Sequence, residues 1–342
     1  MKLKNVLVAT VASSALVLAG CSAGGGGEEK APGADGDTTA TSLMLNWYPY
    51  GEHAPFYYGV QEGIFAEHGI DLTITAGQGS TKTAQAAGSN QTDFGWADTA
   101  AVMSNIDKGV KVKSLGVFLQ TTPSAVQVYA DGPIQTTADL AGKTIAVSAG
   151  DAPTTTFPIF LDRVGVPEDQ VQQQSLDSAG KIAAMLSGQV DGLIGFAHDQ
   201  GPNIANKSGR EMRYLRYSDE GLNFYSNGLI ANTSTIERSP ELVQAMVDAT
   251  RESFEAAIAN PEAAVASMVG KDPQTPPESV LLQQWQETIP LLTTDNTEGM
   301  APGVNSDEDW TNTISILSDA GLTEAGAESS TYWDSTFTSN EE

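Results

Sequence analysis

The chain has 342 residues, with 43 acidic side chains against 17 basic ones, a formal net charge of −26 and one cysteine. That sign excludes a nucleic-acid partner. A lone cysteine excludes an internal disulfide and cysteine-clustered metal sites, and the length accommodates two lobes. The acids are dispersed along the chain, so they read as a solvated surface.

Lys2 and Lys4 precede an apolar run from Val6 to Gly20, shorter than the ~20 residues a spanning helix needs. It ends in Leu18-Ala19-Gly20-Cys21, which resembles the bacterial lipobox. By that resemblance residues 1–20 are a signal peptide, cleaved before Cys21, whose sulfur carries a lipid anchor. Residues 21–41 are rich in Gly, Ala, Asp and Glu and read as a flexible tether. The expected setting is extracytoplasmic, with the chain held at the membrane by its lipid.

Beyond the tether the pattern alternates strand and helix, an α/β arrangement with largely parallel sheets. Strands are predicted near 42–47, 71–76, 93–97 and 112–119, with helices at 54–67, 80–89 and 98–108 between them. Between the first strand and its helix lies an aromatic loop, Asn46-Trp47-Tyr48-Pro49-Tyr50-Gly51-Glu52-His53. Six aromatic residues and a histidine fall within residues 47–58. Open α/β sheets bind ligands at strand carboxyl ends, and this composition suits a flat ring or a cation. Part of the set, Phe56 to Tyr58 above all, reads equally well as core.

A strand at 125–130 leads toward the second lobe, followed by a helical turn at 137–141. Then come strands at 143–147, 171–175 and 192–196, with helices at 153–164 and 178–188. Strands near 212–217 and 224–231 return the chain to lobe one. Helices follow at 239–259, 261–269, 277–290 and 307–319, two of them announced by Ser239-Pro240-Glu241 and Asn260-Pro261-Glu262. The boundaries that follow are 42–130 with 230–325 for lobe 1, 131–229 for lobe 2, and 326–342 as a polar tail. Two segments echo each other: Lys82, Gly88, Asp93 to Asp98, and Lys181, Gly188, Asp191 to Asp199. Facing lobes would then set Trp96, Asp98, His198 and Asp199 around one cleft.

Four segments resemble the substrate-binding lipoproteins of bacterial ABC importers, and most closely the group that binds thiamine pyrimidine precursors, with nitrate, sulfonate and riboflavin binders as cousins. They are Asn46-Trp47-Tyr48-Pro49 with His53-Ala54-Pro55-Phe56-Tyr57; Gly88 with Asp93-Phe94-Gly95; Asp139 to Val147; and Asn227 to Asn232 with Ser239 to Val243. The resemblance implies a type II periplasmic-binding-protein-like fold, two lobes of mixed sheet with the ligand between them, hinged near 125–132 and 221–230. It also implies a monomer that hands a small molecule to a membrane permease. One departure stands out: where the pyrimidine group carries an aromatic, Asn and Glu, this chain reads Phe196-Ala197-His198-Asp199-Gln200.

The candidate site places Trp47, Tyr50 and Trp96 as stacking surfaces and Asn46 as donor and acceptor. Asp98 and Asp199 (with Glu52) are acceptors for a ring amine. Ser80, Asp151 and Thr154 stand where helices open onto the cleft. His53, Phe196, His198 and Tyr225 complete the set. Asp98 and Asp151 read equally as helix caps, and His53 as a structural loop histidine. Carboxylates at a pocket favour an amine-bearing ligand over nitrate or sulfonate.

Other chemistry finds no support. Gly142-Lys143-Thr144 lacks the P-loop's earlier glycine, since position 137 is Thr137. The three histidines, His53, His68 and His198, lack zinc spacing. No nucleophile-elbow serine occurs, so no catalytic residue, metal or cofactor is expected.

Overall fold

The computed structural model describes residues 38–338. The signal segment, Cys21 and nearly all of the tether lie outside them. The tether ends earlier than expected. Strand β1 (Thr39–Met44) starts within it and pairs over all six residues with β2 (Ile70–Thr75). The β-branched Thr39 and Thr41 suit that pleat better than a solvated leash.

Between β1 and β2 the single helix expected at 54–67 is two, α1 (Ala54–Glu62) and α2 (Ile64–Glu67). Gly63 separates them at φ +83°, a left-handed conformation that glycine adopts without steric cost. Then follow α3 (Ser80–Gly88), β3 (Phe94–Asp98), α4 (Thr99–Asp107) and β4 (Val112–Val117). Next come β5 (Ser124–Tyr129), β6 (Thr144–Val147), α5 (Ala152–Thr155), α6 (Phe157–Arg163), β7 (Gln172–Ser175), α7 (Ser178–Leu186) and β8 (Gly192–Phe196). Helix α8 (Gln200–Ser208) leads to β9 (Met212–Arg216) and β10 (Asn227–Asn232). The C-terminal part adds α9 (Thr233–Arg238), α10 (Pro240–Ala259), α11 (Pro261–Ala266), α12 (Glu278–Thr288), α13 (Asp307–Asp319) and α14 (Ser329–Tyr332).

The first sheet has the order β2-β1-β3-β10-β4 and the second β7-β6-β8-β5-β9. Each is parallel over its first three strands, then takes one antiparallel strand, β10 or β5, on the inner side of its last strand. The lobes are therefore mixed sheets of one plan, with a topological switch beside β1 in the first and beside β6 in the second. Those are the places where α/β sheets open a crevice.

This topology moves the expected lobe boundaries. β5 lies wholly in the second sheet and β10 wholly in the first. The crossovers are therefore 118–123 and 217–226, earlier than the expected 130 and 229. Both strands are short and apolar, and only their pairing says which sheet owns them. The polar C-terminal segment docks on the fold through the two aromatic residues that suggest docking in its sequence, Tyr332 and Trp333. Trp333 bridges Ser114 of β4, the Asp334 amide donates to Ser114 O at 2.9 Å, and Tyr332 Oη donates to Asp107 at 2.9 Å. Trp333 stacks on Trp310 of α13 with centroids 5.6 Å apart.

One core joins the first sheet to α1, α10, α11 and α12 through Phe56, Trp96, Phe118, Phe254 and Trp285. A second contains Val126, Ile145, Phe157 and Phe160 of the second sheet and its helices, and also Met103, Trp310 and Trp333. α13 and α14 are thus packed into a core shared with the second sheet.

Candidate functional site

Four loops at strand carboxyl ends meet between the sheets. After β1 come Asn46, Trp47 and Tyr50; after β2, Gly79 and Ser80; after β6, Asp151 to Pro153; at the end of β8, Phe196, and after it Asp199 and Gln200. With Lys181 of α7 and Gly195 they line a cavity of about 30 Å³. A water needs roughly 10–15 Å³ of such space, so the cavity as it stands has room for water and not for a ring. Gly79 shows how close the lobes are. At φ +114° it opens α3, and a Cβ there would lie 2.7 Å from Gly150 O of the other lobe.

Side chains hold the two lobes together. Tyr48 Oη donates to Asp199 Oδ1 at 2.6 Å. Gln284 of α12 accepts from the Gly51 amide at 2.9 Å and donates to Asp199 O at 2.7 Å. The centre of the contact is Glu52, fully buried. Its Oε1 accepts from Trp96 Nε1 and Asn227 Nδ2, each at 2.6 Å. Its Oε2 accepts from Tyr50 Oη and, at 2.8 Å, from His198 Nε2. Three of these donors come from the first lobe and His198 from the second. Burial alone would raise the Glu52 pKa, but the His198 hydrogen bond and charge, then His53 and Tyr50, outweigh it and bring it down to about 2.

His53 is also fully buried. The Tyr50 amide donates to its Nδ1 at 3.3 Å, so the proton sits on Nε2, which donates to Asn46 Oδ1 at 2.8 Å. Burial, against the pull of Glu52, lowers its pKa to about 4. A neutral imidazole therefore fixes how Asn46 presents its amide to the cavity.

The thirteen side chains expected from the sequence divide by position. Asn46, Trp47, Tyr50, Ser80, Asp151, Phe196 and Asp199 line the cavity. His53 and His198 do not line it; they bond Asn46 and Glu52 behind it. Trp96 is not a stacking surface: it shares a strand face with Phe94, points into the first core, and packs edge-on to Phe56 at 5.0 Å. Asp98 is the N-cap of α4, accepting from the Ala100 amide at 2.9 Å and from Ser226 Oγ at 2.8 Å. Burial pushes its pKa up to about 7. Tyr225 lies under α13, edge-on to Trp310 at 5.4 Å. Thr154 Oγ1 accepts from the Ser148 amide at 3.2 Å and so braces its own loop.

Asp151 lines the cavity and also caps α5, accepting from the Thr154 amide at 2.9 Å. Its Oδ2 accepts from Lys181 Nζ at 3.1 Å. Lys181, 1% exposed, is the charged cavity residue missing from the thirteen; Gln200 lines the cavity too. The signal for Lys181 was there: it is the one charge on the otherwise small and apolar Ser178–Leu186 helix.

One buried acceptor at the cavity lacks a donor among the described residues, and a carboxyl group stands beside it. Asp199 uses Oδ1 to accept from Tyr48. Burial raises its pKa to about 7, against Tyr48, His198 and Lys181. Gln200 Nε2 donates to Ser178 O at 3.4 Å, which fixes its amide and leaves Oε1 unpaired. The arrangement offers aromatic walls, an unpaired amide acceptor, a carboxyl group and a buried cation.

Comparison with known proteins agrees with this architecture. The NMT1/THI5-like family model matches residues 51–264. A formylaminopyrimidine-binding protein of Halalkalibacterium halodurans is 23% identical over 92% of this chain and 94% of its own length. The riboflavin-binding protein RibY of Chloroflexus aurantiacus is 25% identical over 86% and 85%. Among solved structures, the alkanesulfonate-binding protein SsuA of Xanthomonas axonopodis superposes with a TM-score of 0.65 at 14% identity, covering 87% of this chain and 99% of that one.

Proposed function

The chain belongs to the NMT1/THI5-like family, and from that membership and the cleft geometry we propose that it is the extracytoplasmic, lipid-anchored solute-binding subunit of an ABC importer. It closes on a small aromatic or N-heterocyclic ligand, most specifically a thiamine pyrimidine precursor, and passes it to the permease. The observation that carries this reading is Gln200 Oε1, a buried acceptor without a donor, beside Asp199 in a cavity walled by Trp47, Tyr50 and Phe196. A buried acceptor without a donor costs free energy, and a ring amine relieves it while the ring covers the aromatic faces. Asp199 disfavours a sulfonate or nitrate at the same place. The formylaminopyrimidine-binding relative supports the ligand class.

The riboflavin-binding relative supports a second reading, a larger ring system. A Legionella pneumophila relative, 24% identical, is named 4-amino-5-hydroxymethyl-2-methylpyrimidine phosphate synthase. This chain carries no cysteine after Cys21, whereas fungal pyrimidine-forming enzymes of this fold carry a cysteine-rich motif, and binding is the better reading.

A thermal-shift panel on the chain from residue 22 tests the proposal, with aminopyrimidines, thiamine, riboflavin, aromatic acids, sulfonates and nitrate. Ligand at 100 times its Kd stabilises by ~2.7 kcal/mol. A shift with aminopyrimidines is expected; a shift with sulfonate or nitrate alone overturns the ligand class.

A further inference from the structure

Lys181 is a cation buried in the cavity wall, and an ion pair alone does not account for it. Its Nζ donates to Asp151 Oδ2 at 3.1 Å and to Ile194 O at 2.8 Å. An ammonium has three donors, so one is left. The same Nζ stands 5.3 Å from the centroid of the Trp47 ring, a cation–π distance. A buried ion pair is commonly no more stabilising than apolar side chains of the same volume, so α7 gains little stability from a lysine here. At the cavity, a free N–H on a neutralised cation is a directed donor.

We propose that Lys181 is a specificity-determining residue, donating to a ring nitrogen or carbonyl of the ligand while Asp199 and Gln200 accept from its exocyclic amine. The inference rests on the reading of this cleft as a ring-binding site. It narrows the ligand class to heterocycles that carry an acceptor as well as an amine. Asp151 keeps the ammonium neutralised, so the selection is for a neutral acceptor, and a free anion gains little.

The test uses two probes that differ only in the ring nitrogens, 4-amino-2-methylpyrimidine and 3-methylaniline, titrated calorimetrically. Wild type is expected to prefer the pyrimidine by about 10–100-fold, the usual worth of a hydrogen bond to a charged group. Lys181→Met is expected to collapse the preference to near unity. Because that variant leaves Asp151 buried and unpaired, Lys181→Met/Asp151→Asn is measured beside it; the asparagine still caps α5. A preference retained in both variants overturns the role of Lys181. Equal binding of the two probes by wild type overturns it while leaving the ring-binding reading intact. Binding of neither probe by wild type overturns both.

Discussion

Glu52→Gln is the substitution that tests the architecture of the cleft most sharply. The side chain keeps its shape and loses its charge and one acceptor face. In the native arrangement the carboxylate receives Trp96, Asn227, Tyr50 and His198. An amide cannot accept all four, and its NH₂ must face Tyr50 and His198 or Trp96 and Asn227. The folded pKa of about 2, against an ordinary 4.5, corresponds to ~3 kcal/mol of stability at neutral pH. Loss of one partner from a buried pair gives the same order, ~3–5 kcal/mol. For a domain of ~300 residues the unfolding entropy makes each kcal/mol worth ~1.6 °C, so Tm should fall by ~5–8 °C. The pH dependence has a definite sign. A depressed carboxyl contributes its stability above the unfolded value of 4.5 and loses it as pH falls toward 2. In thermal melts, the gap between wild type and Glu52→Gln should therefore be full at pH 7 and shrink below pH 4.5. An unchanged Tm at pH 7, or a gap that grows in acid, would refute the account of Glu52 as an ionised hub.

Asp199 has the opposite sign, because its pKa is raised to about 7. Its stabilising contribution is present below the ordinary 3.8 and is lost as pH rises through about 7, when the ionised form becomes the better acceptor for an amine. Affinity for an aminopyrimidine should rise between about pH 6 and 8 in wild type and stay flat in Asp199→Asn; calorimetry at several pH values reads this directly. Trp333→Ala should cost ~3–5 kcal/mol, as large aromatic truncations do, since this ring packs on Trp310 and bridges Ser114. Denaturant unfolding that shows less than ~1 kcal/mol would mean that the C-terminal segment is not docked as described.

Where the sequence carried strong punctuation, the fold was legible in it. Ser239-Pro240 and Asn260-Pro261 placed α10 within a residue of where it lies. The aromatic loop after the first strand does reach the cleft. Pairing was not legible, because β5 and β10 have the composition of either sheet and only long-range register assigns them. Helix α8 was hidden by Gly201, Pro202 and Asn203, poor helix formers that sit in its first turns. The role of Glu52 depends on donors at positions 50, 96, 198 and 227, which local patterning cannot gather. Trp96 was a different matter. Its period-2 alternation with Phe94 placed both on one face of β3, and a core partner at that spacing was the stronger reading.

The central claim is that a single amine-bearing ring sits between the lobes on Trp47. Calorimetric titration of 4-amino-5-hydroxymethyl-2-methylpyrimidine into the chain from residue 22, wild type and Trp47→Ala, tests it most directly. The account predicts saturable one-to-one binding, weakened in Trp47→Ala by the ~1–3 kcal/mol that ring stacking is worth. No heat with this compound, together with saturable binding of an alkanesulfonate that is indifferent to Trp47, would contradict it.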